Sequence, residues 1–409
     1  MTGDDELTRL LAAAETAPPT ESVDVLMKEL RRRFGAASVS FLVTDLLGKM
    51  MVRVVPEEDG GAWEDAERIT LAGSTHARVI RTQRPHWERN TASGRYRLIV
   101  PVTNRGDSLG LLELTLPGDP DDAVMEQIGA AAHALAYIVV TDGRFTDLYQ
   151  RRQRSSGVSL AAEIQYQLLP PALSCEAAQF TVAGALEPAA SIGGDTFDYS
   201  LDRDTVHLSV TDAMGHDVDA ALLATLLVGA LREGRRADTA LVEQARRAHQ
   251  ALLDHGRGAM ATGQLLRIGL KDGRAQMVNA GHPWPLRLRG DTVEEIHLGI
   301  DLPFGVSSPH SYRVQDLDLR PGDRLIMLTD GMLERSGADV DLPALVTRTH
   351  GLHPREAVRV LASAVSGAHE GGLPDDATVM CLDWYGTGST RRDADTGADL
   401  DQASPPQDE

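Results

Sequence analysis

Four short acidic stretches carry the residues best suited to chemistry: "SIGGDTFD" (191–198), "VTDAMGHD" (210–217), "LTDGMLE" (328–334) and "LPDDATV" (373–379). Each lies at the edge of a predicted strand or in the loop beside one. In the second and third, a run that should be buried ends abruptly in Asp followed by a small residue. In the fourth, an Asp pair immediately precedes such a run. Strand ends that aim carboxylates at one rim build an oxygen-rich cation site, which suits hard ions. The small neighbours Gly194, Ala213 and Gly331 let backbone and metal-bound water come close. Taken singly, each stretch is more often a turn, and Asp-Gly alone proves nothing. "TDG" also occurs at 141–143 behind a predicted helix, where Gly143 as a terminator explains it. Four stretches in one 200-residue region (roughly one domain's length) favour a hard-metal site.

The elements that must position these carboxylates are strand-rich. Over 178–385 the patterning predicts strands at 178–185, 205–211, 263–270, 274–280, 284–289, 324–329 and 377–384. Helices are predicted at 217–234, 238–255 and 354–368. The first third reads differently. Residues 1–19 end in "TAPPT" and read as a flexible leader. "ESVDVLMKELRRRF" (21–34) is an amphipathic helix, and strands follow at 38–45, 49–57, 95–103 and 109–116. "TNRGDS" is a hairpin signal between the last two. A helix at 119–140 carries its acids at the N-terminal end, which suits the macrodipole. Residues 143–170 form a polar, helical linker with Leu160, Ile164 and Leu168 on one stripe. That stripe either packs on its own domain or pairs with its copy in a homodimer. The tail, 386–409, is acidic with almost no large apolar residues and is expected to be disordered. Two domains result: 20–142 and 171–385.

Composition removes several classes. The chain has 409 residues, 60 acidic against 40 basic, for a formal charge of −20; non-specific nucleic-acid binding is disfavoured by long-range repulsion. Only two cysteines occur, Cys175 and Cys381, which excludes a disulfide scaffold or a four-cysteine zinc site. The start, "MTGDDELTRLL", lacks a basic front and an apolar core, so it is no signal peptide. No window reaches the roughly 18 uninterrupted apolar residues of a membrane span, and a cytoplasmic location is expected.

In order, "GGDTFD", "TDAMGHDVDAALL", "MATGQL", "NAGHPWPL", "PFG", "GDRLIMLTDGMLE" and "DDATVMCL" resemble the motifs of the SpoIIE/RsbU-like branch of the metal-dependent (PPM) protein serine/threonine phosphatases. The resemblance covers about 170–385 and keeps order and spacing. The layout of 20–142 resembles a GAF-type sensory domain, without a cysteine for bilin attachment and without a feature that specifies a cyclic nucleotide. The implied fold class is α+β: a GAF-like α/β domain, a helical linker, and a PPM β-sandwich of two antiparallel sheets flanked by helices. The resemblance implies two Mn²⁺ or Mg²⁺ ions at one edge of the sandwich. Asp195 matches the acid that bridges both, Asp212 the next ligand, and Ala213 the position whose backbone carbonyl binds metal. Asp330 and Asp375 match the remaining carboxylates, and Asp376 a polar neighbour behind them. Two cations roughly 3.5–4 Å apart would generate hydroxide from a bridging water for in-line attack on phosphorus. By the same resemblance the substrate is a phosphorylated STAS-type anti-sigma-factor antagonist, and a small-molecule or protein signal acts at the GAF-like domain.

Other residues invite weighing. His216 and His282 look like metal ligands, but an oxygen site suits these ions better, so both are expected to order loops or assist from outside. "NAGHPWP" (279–285) has turn chemistry, and Glu334 is either a residue behind the ligands or a surface charge. Cys381 is core. The chain departs from the family at Thr196, where an aromatic is common, and at Asp217, where a second Gly is usual. Asp217 is expected to serve as a helix N-cap. The segment after Glu334 is short and lacks the usual Phe-Gly. Two functions remain open: a metal-dependent phosphatase gated by the N-terminal domain, and a non-catalytic partner-binding module whose metal is only structural. A metal-dependent phosphodiesterase is disfavoured by the negative charge.

Overall fold

The computed structural model describes residues 3–45, 48–54, 67–153, 159–189, 193–307, 311–333, 340–368, 373–388, 391–394 and 396–406. The chain divides into two compact units: 1–157 together with 393–409, and 158–392.

The first unit opens with α1 (Gly3–Thr16) and α2 (Ser22–Phe34). Next come β1 (Ser38–Thr44), β2 (Met50–Val54), β3 (Arg68–Thr70), α3 (Thr75–Thr82), β4 (His86–Arg89), β5 (Tyr96–Asn104) and β6 (Asp107–Leu116). The long α4 (Asp122–Asp142) and short α5 (Leu148–Gln153) complete it. The strands form one antiparallel sheet in the order β3-β2-β1-β6-β5-β4. Alternation sends Phe41, Val43, Leu98, Val100, Leu112 and Leu114 into a core shared with α1, α2 and α4. Leu42, Ile99 and Leu111 point the other way, onto Val79 and Ile80 of α3, as a period of two requires. The "TNRGDS" turn is a two-residue hairpin, with Arg105 at φ 49° and Gly106 at φ 78°, the left-handed pair that matches strand twist. α4 is the one described helix long and apolar enough to cross a membrane by length and composition. Its polar residues interrupt the apolar run, and Ile128, Ala132, Leu135 and Val139 are spent on the unit's core.

Three expectations are corrected here. The leader is not flexible: 3–16 form α1, and Leu10 and Ala14 join the core. The Pro18-Pro19 pair that suggested looseness ends the helix, with Pro18 O accepting from Glu21 N at 2.8 Å. The tail is not disordered over its described part: Ala398 and Ser404 are buried, and Gly397 O accepts from Gly106 N at 3.0 Å. The linker is not one connector, because α5 belongs to the first unit and the next helix, α6 (Leu160–Leu168), to the second. On α6, Leu168 is buried and Leu160 is 65 % exposed, so the stripe is only half used. Gly143 caps α4 with right-handed dihedrals (φ −56°), so glycine's freedom is not what ends that helix.

The second unit continues with β7 (Ser174–Glu176), β8 (Phe180–Glu187), β9 (Asp195–Leu201), β10 (Thr205–Ala213), α7 (Asp217–Arg236) and α8 (Leu241–His255). Then follow β11 (Ala261–Gly269), β12 (Ala275–Ala280), β13 (Leu286–Arg289), β14 (Thr292–Glu295), β15 (Gln315–Leu317) and β16 (Asp323–Leu328). α9 (Leu342–Arg348), α10 (Pro354–Gly367) and β17 (Ala377–Trp384) close the unit. Two antiparallel sheets form, β15-β12-β11-β10-β9 and β14-β13-β16-β17-β8-β7. Phe197, Leu208, Leu266, Met277, Leu325, Met327, Met380 and Trp384 fill the space between them. The outward face of the first sheet gives Leu265 and Val278 to α7 and α8. That of the second gives Ile326, Leu328 and Cys381 to α9 and α10. The result is a helix-flanked β-sandwich. Cys381 is core, and burial pushes its thiol up to about 12.

Candidate functional site

The first two carboxylates meet through strand register. β9 starts at Asp195 and pairs antiparallel with β10, setting Asp195 directly across from Asp212. Side chains so placed stand about 4.5–5.5 Å apart at Cβ. Asp330 comes from the other sheet: β16 ends at Leu328, Thr329 is extended, and Asp330 opens a single 3-10 turn. β17 is the neighbour of β16, and Asp375 and Asp376 lie just before it. Thr329 ties the sheets together. Its hydroxyl donates to Asp195 Oδ2 at 2.7 Å and accepts from Thr378 N at 3.0 Å.

These acids share a strongly negative field, each adding to the cost of ionising its neighbours. Burial pushes the Asp212 carboxyl up to about 7, reinforced by the charges of Asp330, Asp375 and Asp376. Asp195, 2 % exposed, is raised well above the usual carboxylate range by burial, then by Asp212 and Asp376, against hydrogen bonds from Thr329 and Thr378. Asp330 is exposed and Asp375 half-buried. Asp376 is buried and faces inward, accepting from Ala189 N at 2.8 Å and Gly193 N at 3.1 Å. It fixes the backbone N–H groups of Ala189 and Gly193 behind the rim.

The glycines are there for space. A Cβ on Gly194 would stand 2.2 Å from Ala213 O, one on Gly193 2.8 Å from Asp375 Oδ1, and one on Gly331 2.1 Å from the Asp376 carbonyl. Any side chain would collide with the groups that line the rim. Among the described residues, no three His, Cys, Asp or Glu side chains are closed tightly enough to hold an ion as they stand. The donor set nevertheless fits divalent cations: clustered oxygen ligands, mutually repelling carboxylates, and a carbonyl kept clear by glycine.

Several residues missed by sequence reasoning matter here. Gln165 of α6 is 1 % exposed, and its Nε2 donates to Asp195 O at 2.8 Å and to Asp376 Oδ2 at 2.5 Å. The "IQYQLLPP" run held this residue without a sign of its role, since both partners are remote in sequence. Thr329 was likewise hidden beside Asp330. Thr196 stands where an aromatic is common, and its hydroxyl meets that of Thr211 at 2.6 Å. Asp198, in the first acidic stretch, is not delivered to the rim. It is buried against Arg232 at 3.0 Å and Arg235 at 3.1 Å, and Arg232 also donates to Leu168 O at 2.6 Å.

The histidines separate. His216 is exposed beside Asp217. His282 is buried, its Nδ1 2.7 Å from Thr262 Oγ1, and its backbone is locked by Asn279 at 2.8 and 2.9 Å; burial lowers its pKa to about 3. It orders the 279–283 turn. The expectation that Asp217 is an N-cap is corrected: His216 holds that position without a side-chain cap. Asp217 is the first helical residue, at φ 59°, the left-handed conformation that explains a glycine there. Glu334 lies outside the described residues.

Residues 202–385 match the family of Stage II sporulation protein E (SpoIIE). That stretch, a little under half of the chain, is similar to the SpoIIE family. The match takes in Asp212, Ala213, Asp330 and Asp375 and begins just after Asp195. The chain is 20 % identical over 268 residues to the phosphoserine phosphatase RsbU of Bacillus subtilis (strain 168), covering 61 % of this chain and 79 % of the relative. Among solved structures it is similar to the RsbU and RsbW domains of a Mycobacterium tuberculosis protein, with 25 % identity and a TM-score of 0.44. That alignment covers 51 % of this chain and 62 % of the other. It is also similar to the PP2C phosphatase domain, with a regulatory-domain fragment, of SpoIIE from Bacillus subtilis. Identity there is 21 %, the TM-score 0.45, and coverage 51 % of this chain and 65 % of the other. The chain therefore spans less than two thirds of both solved relatives.

Proposed function

We propose that the second unit is a protein serine/threonine phosphatase that works with bound Mn²⁺ or Mg²⁺. The observation that carries this reading is the convergence of Asp195, Asp212, Asp330 and Asp375 on one rim, with Asp212 raised to about 7 by burial and its acidic neighbours. Such a cluster favours cations strongly. Asp195, Asp212, Asp330, Asp375 and the Ala213 carbonyl would hold two ions. Bound there, the ions would supply an activated water and neutralise charge on the phosphoryl oxygens. The protein's own contribution is placement. Thr329 fixes one oxygen of Asp195, Gln165 fixes its backbone, and Asp376 holds the N–H groups of Ala189 and Gly193. The chemistry needs no cysteine nucleophile, in keeping with a Cys381 thiol buried in the core.

The substrate in this reading is a phosphorylated STAS-type anti-sigma-factor antagonist in a bacterial, cytoplasmic pathway. The name of the RsbU relative, a phosphoserine phosphatase, supports the substrate class. The first unit acts as a GAF-like sensory domain for a small-molecule or protein signal, and the working form is a homodimer. The test is Mn²⁺-dependent phosphate release from a phosphoserine protein, with Asp330→Asn alongside. Release by the wild-type chain and none by the variant is expected. No release at millimolar Mn²⁺ would leave the partner-binding role, with a structural metal, as the function.

A further inference from the structure

The last described residues do not belong to the unit they follow. β17 ends the sandwich at Trp384, and Arg392 is still part of that unit. Its Nη1 donates to Glu176 Oε2 at 2.8 Å, and the other oxygen of this buried acid lies 3.2 Å from His353 Nε2. From residue 393 onward the chain belongs to the first unit.

There it is seated by specific contacts. Gly397 O accepts from Gly106 N, in the β5–β6 turn, at 3.0 Å, and Ser404 N donates to Arg81 O, at the end of α3, at 3.2 Å. Thr396 packs on α4, where a Cβ at Gly129 would come within 3.3 Å of its methyl. Gly397 has φ +102°, and a Cβ there would stand 2.0 Å from Thr103 O. Only glycine fits, for conformation and for space. Ala398, Asp399 and Ser404 are 2 %, 7 % and 2 % exposed, and Asp399 accepts from Asp401 N and from Gln402 Nε2, at 3.1 and 2.9 Å. A solvated acidic tail has none of these features.

We infer that the face of the first unit made by the β5–β6 turn, the end of α3 and the middle of α4 is a docking surface whose occupant is the chain's own segment 396–406. The second unit is thereby an insertion, joined to the first at both of its ends. Arg392 anchors one end of the strap on Glu176, and Gly397 anchors the other under Thr103.

Hydrogen exchange by mass spectrometry on the full chain tests this without reference to catalysis. In the wild type, peptides covering 396–406 and the Gly106 turn should exchange on the order of tenfold or more slower than an unstructured chain. Gly397→Val should remove protection from both, and a chain ended after Arg392 should remove it from the Gly106 turn. β1, β2 and the sandwich strands should keep theirs in both variants. The inference is overturned if 396–406 exchanges freely in the wild type, or if Gly397→Val leaves it protected. It is also overturned if either variant exposes β1 and β2, because the segment would then be core of the first unit and not a docked strap.

Discussion

Gln165→Ala tests the coupling of α6 to the carboxylate rim. The side chain is buried and its amide divides between the Asp195 carbonyl and an Asp376 oxygen. A hydrogen bond to a charged acceptor contributes about 1.5–3 kcal/mol and one to a neutral carbonyl about 0.5–1.5 kcal/mol. Two opposing considerations place the net loss near the lower end of that sum, at about 2 kcal/mol. Asp376 keeps its bonds from Ala189 N and Gly193 N. Gln165 Oε1 is itself buried without a partner, and its removal returns some free energy. Urea unfolding of the full chain should therefore show the second unit destabilised by about 2 kcal/mol. Mn²⁺-dependent phosphate release should fall on the order of tenfold, because a shift of Asp195 moves the reacting geometry. Gln165→Glu should be worse than Ala in both assays, since it sets a carboxylate against Asp376. A variant within about 0.5 kcal/mol of wild type and with unchanged turnover would refute the proposed coupling.

Asp330→Asn should abolish Mn²⁺-dependent release while leaving apo stability within about 0.5 kcal/mol, because the side chain is exposed. Saturating Mn²⁺ should raise the wild-type unfolding free energy by about 2.7 kcal/mol at a hundredfold excess over Kd, and calorimetry should find a smaller gain in this variant. Asp217→Gly should stabilise the chain by about 1 kcal/mol in urea, since it relieves a left-handed residue at φ 59°. The acid pH profile of the first unit should carry the signature of Glu113. Against the cost of burial, His76, Arg97 and Arg53 lower its pKa from 4.5 to about 2. Its stabilising contribution is therefore full above about pH 4.5 and lost as pH falls toward 2. That contribution is at most roughly 3 kcal/mol, and Glu113→Gln should flatten the corresponding part of an acid titration followed by circular dichroism.

The strand ends were the legible part of the sandwich. Short apolar runs located β10, β16 and β17, and with them the positions of Asp212, Asp330 and Asp375. β9 was not predicted as a strand, because "DTFDYSL" mixes acids with aromatics. Its acids serve opposite ends: Asp195 faces Asp212, and Asp198 turns back to Arg232 and Arg235. Gln165 and Thr329 were invisible for another reason. A polar residue in a buried bridge looks like any other until its partners are known, and Asp376 lies far along the chain. The tail misled through composition. Its acids and small residues read as disorder, yet a segment that lies on a surface needs only residues small enough to fit, as Gly397 and Ala398 show. α1 misled through its proline pair, which marks a helix end as readily as a loose leader.

The return of residues 393–406 to the first unit also sets an order of assembly during synthesis. The sheet β1–β6 and its helices leave the ribosome first, yet the surface at the β5–β6 turn stays bare until everything from 158 to 392 has been made. The unit begun earliest is thus completed last.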